Sequence, residues 1–356
     1  MLSPSSLAFL KRLLDTPAPS GFEGPAARVW REEAATFADN VTNDVAGNSM
    51  AEINPTGSPT IMLDGHIDEI GLIVQYIDDD GFVYPSPIGG WDPQVLIGQR
   101  IRFLGRGGDV VGVIGKKPIH LMKTSDRDAA SKFTDLWVDI GASSRAEAEG
   151  RLSVGDPGVI DSKTIDFPNN RIVSRSIDDR IGAFVVLEAL RRYAQNPGSA
   201  RVVAAATTQE EIAWHGGGAL VCTNCINPQM AIVVDVTFAT DHPNIEKKEI
   251  GDHKVGGGPV LSRGSVISPV VFEMLRSTAD RQGIKYSVHA VGRDTSTNAD
   301  AIHLSREGVA TALVSIPNRY MHSPNELVSL EDVAKTATLI ADVCREANAK
   351  TDFTAR

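Results

Sequence analysis

Near the start of the chain, Leu7, Phe9, Leu10, Leu13 and Leu14 recur at helical spacing, with Lys11 and Arg12 between them. That pattern predicts an amphipathic helix over about residues 4–14. The Pro/Gly stretch DTPAPSGFEG ends it, and a second helix is expected over 24–36. A turn signal at Val45-Ala46-Gly47-Asn48 precedes a short apolar strand, 59–63, which ends at DGHIDE. From residue 71 to about 168 the period changes. GLIVQYI, FVYPSPI, IGQRIRFLG, DVVGVIG, KPIHLM and LWVDIG are short β-rich runs divided by Gly, Asp and Pro, with one helical piece near 143–150. Evenly spaced short strands predict a small barrel or sandwich. From residue 171 onward strand and helix alternate. Helices are expected at 179–195, from 217, at 269–282, 299–308 and 330–347, and strands at 200–208, 230–235, 285–290 and 310–315. The pattern is that of an α/β domain split by an inserted β domain.

Composition narrows the class. A chain of 356 residues has room for two domains, and 42% hydrophobic with 22% charged residues supports an ordinary core. No apolar run reaches the ~18 residues that span a bilayer, so no membrane partner is expected. The first helix is interrupted by charge and followed by no small-residue cleavage site. It reads as part of the fold, and a cytoplasmic location is expected. A net charge of −10 repels a polyanion, and no basic run offsets it, which argues against nucleic acid. Cys222 and Cys225 form a lone CxxC without the second pair that a structural zinc site uses, and Cys344 stands apart. All three read as small buried or surface residues.

The chemistry lies where His, Asp and Glu fall. His66 and Asp68 follow an apolar strand, Asp178 and Asp179 precede a helix, and Glu210 and Glu211 follow VVAAATTQ. Asp235 ends AIVVD, and His322 follows ALVSI. Taken singly, each has an ordinary explanation: a helix cap for Asp178, an Asx turn for Asp235, a solvated strand end for the glutamates. Ligands of open α/β sheets gather beyond the carboxyl ends of the strands. Five separate segments therefore deliver oxygen and imidazole donors to one region. Such donors suit zinc, cobalt or manganese. On an extended segment His66 and Asp68 share a face, so Asp68 can fix the imidazole tautomer. Charge points to two ions. If Asp178, Glu211 and Asp235 bind with neutral histidines, two divalent ions and a hydroxide bring the sum to zero. Glu210, pointing away from Glu211 on an extended strand end, is then free for proton transfer.

LDGHIDEIG, GGWD at 89–92, SIDDR, TTQEEIAWHGG, VVDVTFATDHP and RYMHSPNE occur in this order between about residues 20 and 335. Together they resemble the cytosolic di-metal aminopeptidases of the TET and glutamyl-aminopeptidase family. The resemblance implies a three-layer αβα catalytic domain, residues 1–68 and 168–356, and an inserted β-barrel-like dimerisation domain, 69–167. It implies two divalent ions per subunit, zinc foremost, with Asp178 bridging them. His66 and Asp235 would complete one site, and Glu211 and His322 the other. Glu210 would be the general base, joined in the catalytic set by Asp68, and the Asp178–Asp179 bond would be cis. Short peptides with a free N-terminus would be substrates, and dimers would assemble into particles, often of twelve subunits. One departure concerns the late loop. Relatives have Gly-Thr-Asp-Ala, whereas this chain has GRDTSTNADAIH at 292–303, with Asp300 at the family's Asp. Arg293 there is a candidate to meet an acidic first residue, against the alternative of a solvated loop arginine. Lys247, Lys248 and His253 are further candidates to line the substrate pocket.

The expected reaction removes an N-terminal residue through a water acidified by two metals, with Glu210 passing its proton to the leaving amine. A di-metal amidase or carboxypeptidase is the nearest alternative, and a catalytically dead scaffold is another. A glycoside hydrolase such as an endoglucanase needs only two carboxylates roughly 5–10 Å apart. It leaves His66, Asp235 and His322 without a role, and 6% aromatic residues offer few platforms for sugars.

Overall fold

Four strands of near-continuous Val, Ile, Leu and Ala form the middle of an eight-stranded sheet. The computed structural model describes residues 1–213 and 216–355. The sheet order is Asn40–Asn43, Ser49–Ile53, Arg201–Thr207, Thr60–His66, Met230–Phe238, Ala310–Asn318, Val260–Gly264 and Ser287–Val291. The four from Arg201–Thr207 to Ala310–Asn318 run parallel. Parallel strands are covered on both faces, which explains their unbroken apolar runs. Helix Ile177–Gln195 packs across three of them and against Leu330–Glu346, while Gly217–Ile226 covers Arg201–Thr207 and Thr60–His66. The layers are helix, sheet, helix.

One close approach sets the site. A Cβ at Gly65 would collide with the backbone of Gly182, and a Cβ at Gly182 with the carboxylate of Asp179. Two glycines thus let the long helix dock directly on the strand that carries His66. The expected cis Asp178–Asp179 bond is present at the start of that helix.

Gly71–Ile77, Val83–Ile88, Leu136–Asp139, Gly108–Lys116, Arg100–Gly105 and Pro157–Ile160 close into a barrel around Leu72, Phe103, Ile114 and Val138. Along Gly108–Lys116, Ile114 faces in while Val111 and Val113 face out. Closure removes the sheet edges that would otherwise template pairing.

Several elements differ from the sequence pattern. KPIHLM is no strand: Ile119–Leu121 is a 3-10 turn following Pro118, which lacks the N–H a ladder needs. The sixth barrel strand is instead Pro157–Ile160, too short to show a period. The helix expected over 299–308 is one turn, Ala299–Ile302. Asp235 lies inside its strand, which continues to Phe238. Two features went unforeseen, strand Val260–Gly264 and a small sheet of Ile165–Phe167, Arg171–Ser174 and Glu326–Ser329. Among the described residues no helix is long and apolar enough to cross a membrane.

Candidate metal centre

The carboxyl ends of the parallel strands open onto a cleft of about 970 Å³, lined by His66, Asp178, Glu210, Glu211, Asp235 and His322. Asp178 is its centre. One carboxylate oxygen lies 3.3 Å from His66 Nε2 and the other 3.3 Å from His322 Nε2. Glu211 Oε2 is 3.5 Å from the same nitrogen of His322. Donor atoms of His66, Asp178 and Glu211 lie within 4.8 Å of one another, as do those of His66, Glu210 and Asp235.

Backbone and carboxylate contacts aim these groups. His66 Nδ1 lies 3.3 Å from Asp68 Oδ1, a charge contact without hydrogen-bond geometry, and Nε2 faces Asp178. Asp68 also accepts the backbone N–H groups of Glu210 and Glu211, both at 3.2 Å. The pair does not sit on an extended strand, as the sequence suggested. The strand ends at Thr207, and Gln209 turns the chain with a φ of 61°. Buried Glu23 pins that turn by accepting the Gln209 N–H at 3.1 Å. Both glutamates therefore face the cleft, with Glu210 18% exposed and Glu211 5%.

His322 is held from three sides. Its φ is 56°, and that of Tyr320 is 64°. This left-handed backbone costs an L-residue about 1–2 kcal/mol. Against that cost, Arg319 pairs with Asp241 at 2.7 Å, and Glu326 accepts the His322 N–H at 2.9 Å. The third hold comes from the barrel side of the chain, where Gly90 O accepts from His322 Nδ1 at 2.6 Å. With Nδ1 committed to that carbonyl, Nε2 is the nitrogen that faces the carboxylates of Asp178 and Glu211. The other oxygen of Glu326 accepts the Asp178 N–H at 3.0 Å, so one buried carboxylate braces two segments of the cluster. Glu326 and the Gly90 carbonyl were missed in the sequence. A glutamate inside the apolar run NELVSL was a usable signal, whereas a backbone carbonyl leaves none.

The electrostatics call for cations. Burial and the charge of Asp178 push the Asp235 carboxyl up to about 8. Glu210 is raised well above the usual range, by burial first and then by Asp235 and Glu211 against the opposing His66. Burial disfavours a charged His322, yet Asp178 and Glu211 lift its imidazole to about 11. Burial would likewise raise Asp178, but the two imidazoles hold it far below the usual range. The chain alone thus answers its negative charge with protons. Glu211 Oε1 and Asp179 Oδ2 are buried without hydrogen-bond partners. Imidazole and carboxylate donors with an orphaned oxygen fit borderline divalent ions.

Residues 47–339 match the family described as M42 glutamyl aminopeptidase. The chain belongs to this family. As an M42 aminopeptidase it catalyses metal-dependent hydrolysis at the N-terminus of peptides. The lysyl aminopeptidase of Pyrococcus furiosus is 35% identical over 340 residues, which cover 95% of this chain and 96% of that one. A TET aminopeptidase structure from a marine-sediment archaeon of the Thaumarchaeota is 32% identical, with a TM-score of 0.92 and 97% of each chain covered. The structure of Pyrococcus horikoshii TET1, a peptidase said to assemble into a tetrahedron or a large octahedral shell, is 29% identical with a TM-score of 0.83. It matches over 96% of this chain and 100% of its own. Membership decides between the readings raised above in favour of peptide hydrolysis. Trp214 and His215 of this M42 aminopeptidase's TTQEEIAWHGG motif lie outside the described residues. Arg293 borders not the main cleft but an adjoining cavity of about 350 Å³.

Proposed function

We propose that each subunit removes N-terminal residues from short peptides with a free amino group, using two divalent ions. Zinc is the first choice, and cobalt or manganese are also suited. The observation that carries this reading is Asp178, with one oxygen 3.3 Å from each histidine. His66 and Asp235 would hold one ion and Glu211 and His322 the other, with Asp178 placed to serve both sites. When bound, the ions supply Lewis acidity, making water a better acid and polarising the scissile carbonyl. Glu210 takes the proton of the attacking water on its carboxylate and delivers it to the departing amine. Its donor atom is close enough to His66 and Asp235 to serve as a ligand instead. We assign it the proton because Asp178, Glu211 and Asp235 already supply each ion with carboxylates. Asp68 keeps the His66 Nε2 aimed inward.

The division into 1–68 with 168–356 and an insert of 69–167 is part of the proposal, supported by a closed barrel whose strands lie between Gly71 and Ile160. So is assembly of dimers into a twelve-subunit particle, for which the support is a similar structure, 29% identical, named as a dodecamer. A cytoplasmic location fits three free cysteines, Cys225 among them exposed. The test is metal content by mass spectrometry together with hydrolysis of Leu-, Lys- and Glu-anilides. One ion per chain, or full activity after exhaustive chelation, would overturn the two-ion reading.

A further inference from the structure

Family membership leaves the preferred first residue open, since the family is described by glutamyl substrates while a relative within it is named for lysyl ones. The cleft itself is more specific. It extends from the metal cluster to the turn Lys247–Ile250 and the loop 292–298. Among the described residues no Lys or Arg lines it, while Glu249 and Asp294 do. Neither of these carboxylates has a hydrogen bond or ion pair within the described chain, and both are exposed.

The neighbouring charges are already engaged. Asp300 accepts the N–H groups of Thr295 and Ser296 and the hydroxyl of Thr295, each at 2.8 Å. Asn298 donates to buried Asp64 at 2.9 Å. These contacts fold the unusual loop from inside, spending Asp300 and leaving Asp294 on its wall. Lys247 pairs with Asp252 at 2.9 Å and Lys248 with Glu246 at 3.6 Å, and Arg293 lines the adjoining cavity, which Asp294 borders as well as the cleft. His289 Nδ1 lies 3.2 Å from Ile250 O and 3.4 Å from His253 Nε2. Asp178, Glu211, Asp235 and a hydroxide balance two divalent ions, so the loaded cluster adds no positive charge. What remains in the cleft is negative. The two acids line the same cavity as the metal cluster.

We infer that Glu249 and Asp294 select a cationic N-terminal residue, lysine or arginine, and disfavour glutamate. This rests on the aminopeptidase reading of the metal centre. The aliphatic stem of such a residue would lie against Ile250 and Phe238, which line the same cleft, with its charge at the carboxylates. Both acids are open to water, so the effect is moderate and weakens with salt.

The test compares kcat/KM for Lys-, Arg-, Leu- and Glu-p-nitroanilides on the zinc-loaded protein and on the double variant Glu249→Gln/Asp294→Asn. Wild type should favour Lys and Arg over Glu by about tenfold or more, and the double variant should lower the Lys-to-Leu ratio about tenfold, mainly through KM. A preference for Glu, or an unchanged Lys-to-Leu ratio in the variant, overturns the assignment. Equal losses on Lys and Leu would assign the two acids to the α-ammonium shared by all substrates, which also overturns it. Hydrolysis of Leu-anilide without a Lys preference sinks this inference alone, whereas a loaded protein that cleaves none of the four sinks the aminopeptidase reading with it.

Discussion

Glu210 and Glu211 are adjacent, share the hold of Asp68 on their backbone, and still differ in surroundings. Glu211 lies beside His322 with an orphaned oxygen, while Glu210 is the more exposed; burial raises both carboxyls. On the proposed roles, Glu210→Gln keeps two ions and loses about 10²–10⁴ in kcat. Glu211→Ala loses an ion. Metal analysis beside anilide rates separates them, and a Glu210→Gln protein lacking metal would move Glu210 into the ligand set. The residue types of this cluster were legible in the sequence because few folds need His, Asp and Glu at so many strand ends. The direction of the glutamates was not, because the turn at Gln209 depends on Glu23, 186 residues away. Proton binding gives a second prediction. The Asp235 carboxyl titrates near 8 in the ion-free fold and near 4 when unfolded. Its stabilising contribution is complete below about pH 4 and is lost as pH rises through 8. The His322 imidazole, lifted to about 11, behaves the same way: it stabilises fully below its unfolded value and loses that as pH climbs toward 11. Ions take the place of these protons. The rise in Tm on adding zinc at fixed free concentration should therefore be larger at pH 8 than at pH 6. An equal rise at both would rule out competition between proton and ion.

Among elements, the parallel strands were the most legible, since burial on both faces writes itself as uninterrupted apolar sequence. The failures have physical causes. Pro157–Ile160 is held by barrel closure, not by any pattern of its own, and Val260–Gly264 is built around a polar Ser262-Arg263-Gly264 end. The small sheet depends on a tight connection in which Asn169 and Asn170 adopt φ of 63° and 56°. Those asparagines tolerate such backbone, and in hindsight they mark the turn. The element with most consequence is the GGWD loop. Trp91 Nε1 donates to Gly71 O at 2.9 Å, anchoring the loop to the first barrel strand, and Gly90 O then fixes the His322 tautomer. A piece of the barrel segment thus steadies a proposed ligand carried by the α/β sheet. Trp91→Ala removes the anchor without touching the cluster. Zinc should leave this variant about tenfold faster, as followed with a chromogenic chelator, because loosened partners of metal-bound histidines cost 10–100-fold in affinity. A folded variant that releases zinc at the wild-type rate would show that the barrel contact is incidental.

For the whole molecule, the question is what the barrel's outer face is for. Val111 and Val113 project from one strand at 48% and 50% exposure, and the turn that follows exposes Ile119 at 55% and Leu121 at 68%. The strand pairs with Arg100–Gly105 along 108–113 and with Leu136–Asp139 along 113–116, and its exposed valine side chains are what it offers a partner. Neighbouring apolar residues of this kind mark an interaction surface more often than chance. On the proposed assembly, the partner is a second copy of the chain. Charge sharpens the argument. Subunits at −10 repel one another, so contacts between them must be apolar enough to offset that repulsion, and salt should strengthen the particle by screening it. The double variant Val111→Lys/Val113→Lys places two ammonium groups where a copy would have to desolvate them. Light scattering on a sizing column should then report a smaller species than wild type at equal concentration, and raised salt should not restore it. The zinc content should stay at two per chain, because every proposed ligand comes from the same chain. An unchanged particle mass would move the interface off this face. A smaller particle that also lost its zinc would instead mean that the barrel's outer face and the metal centre are coupled through the GGWD loop.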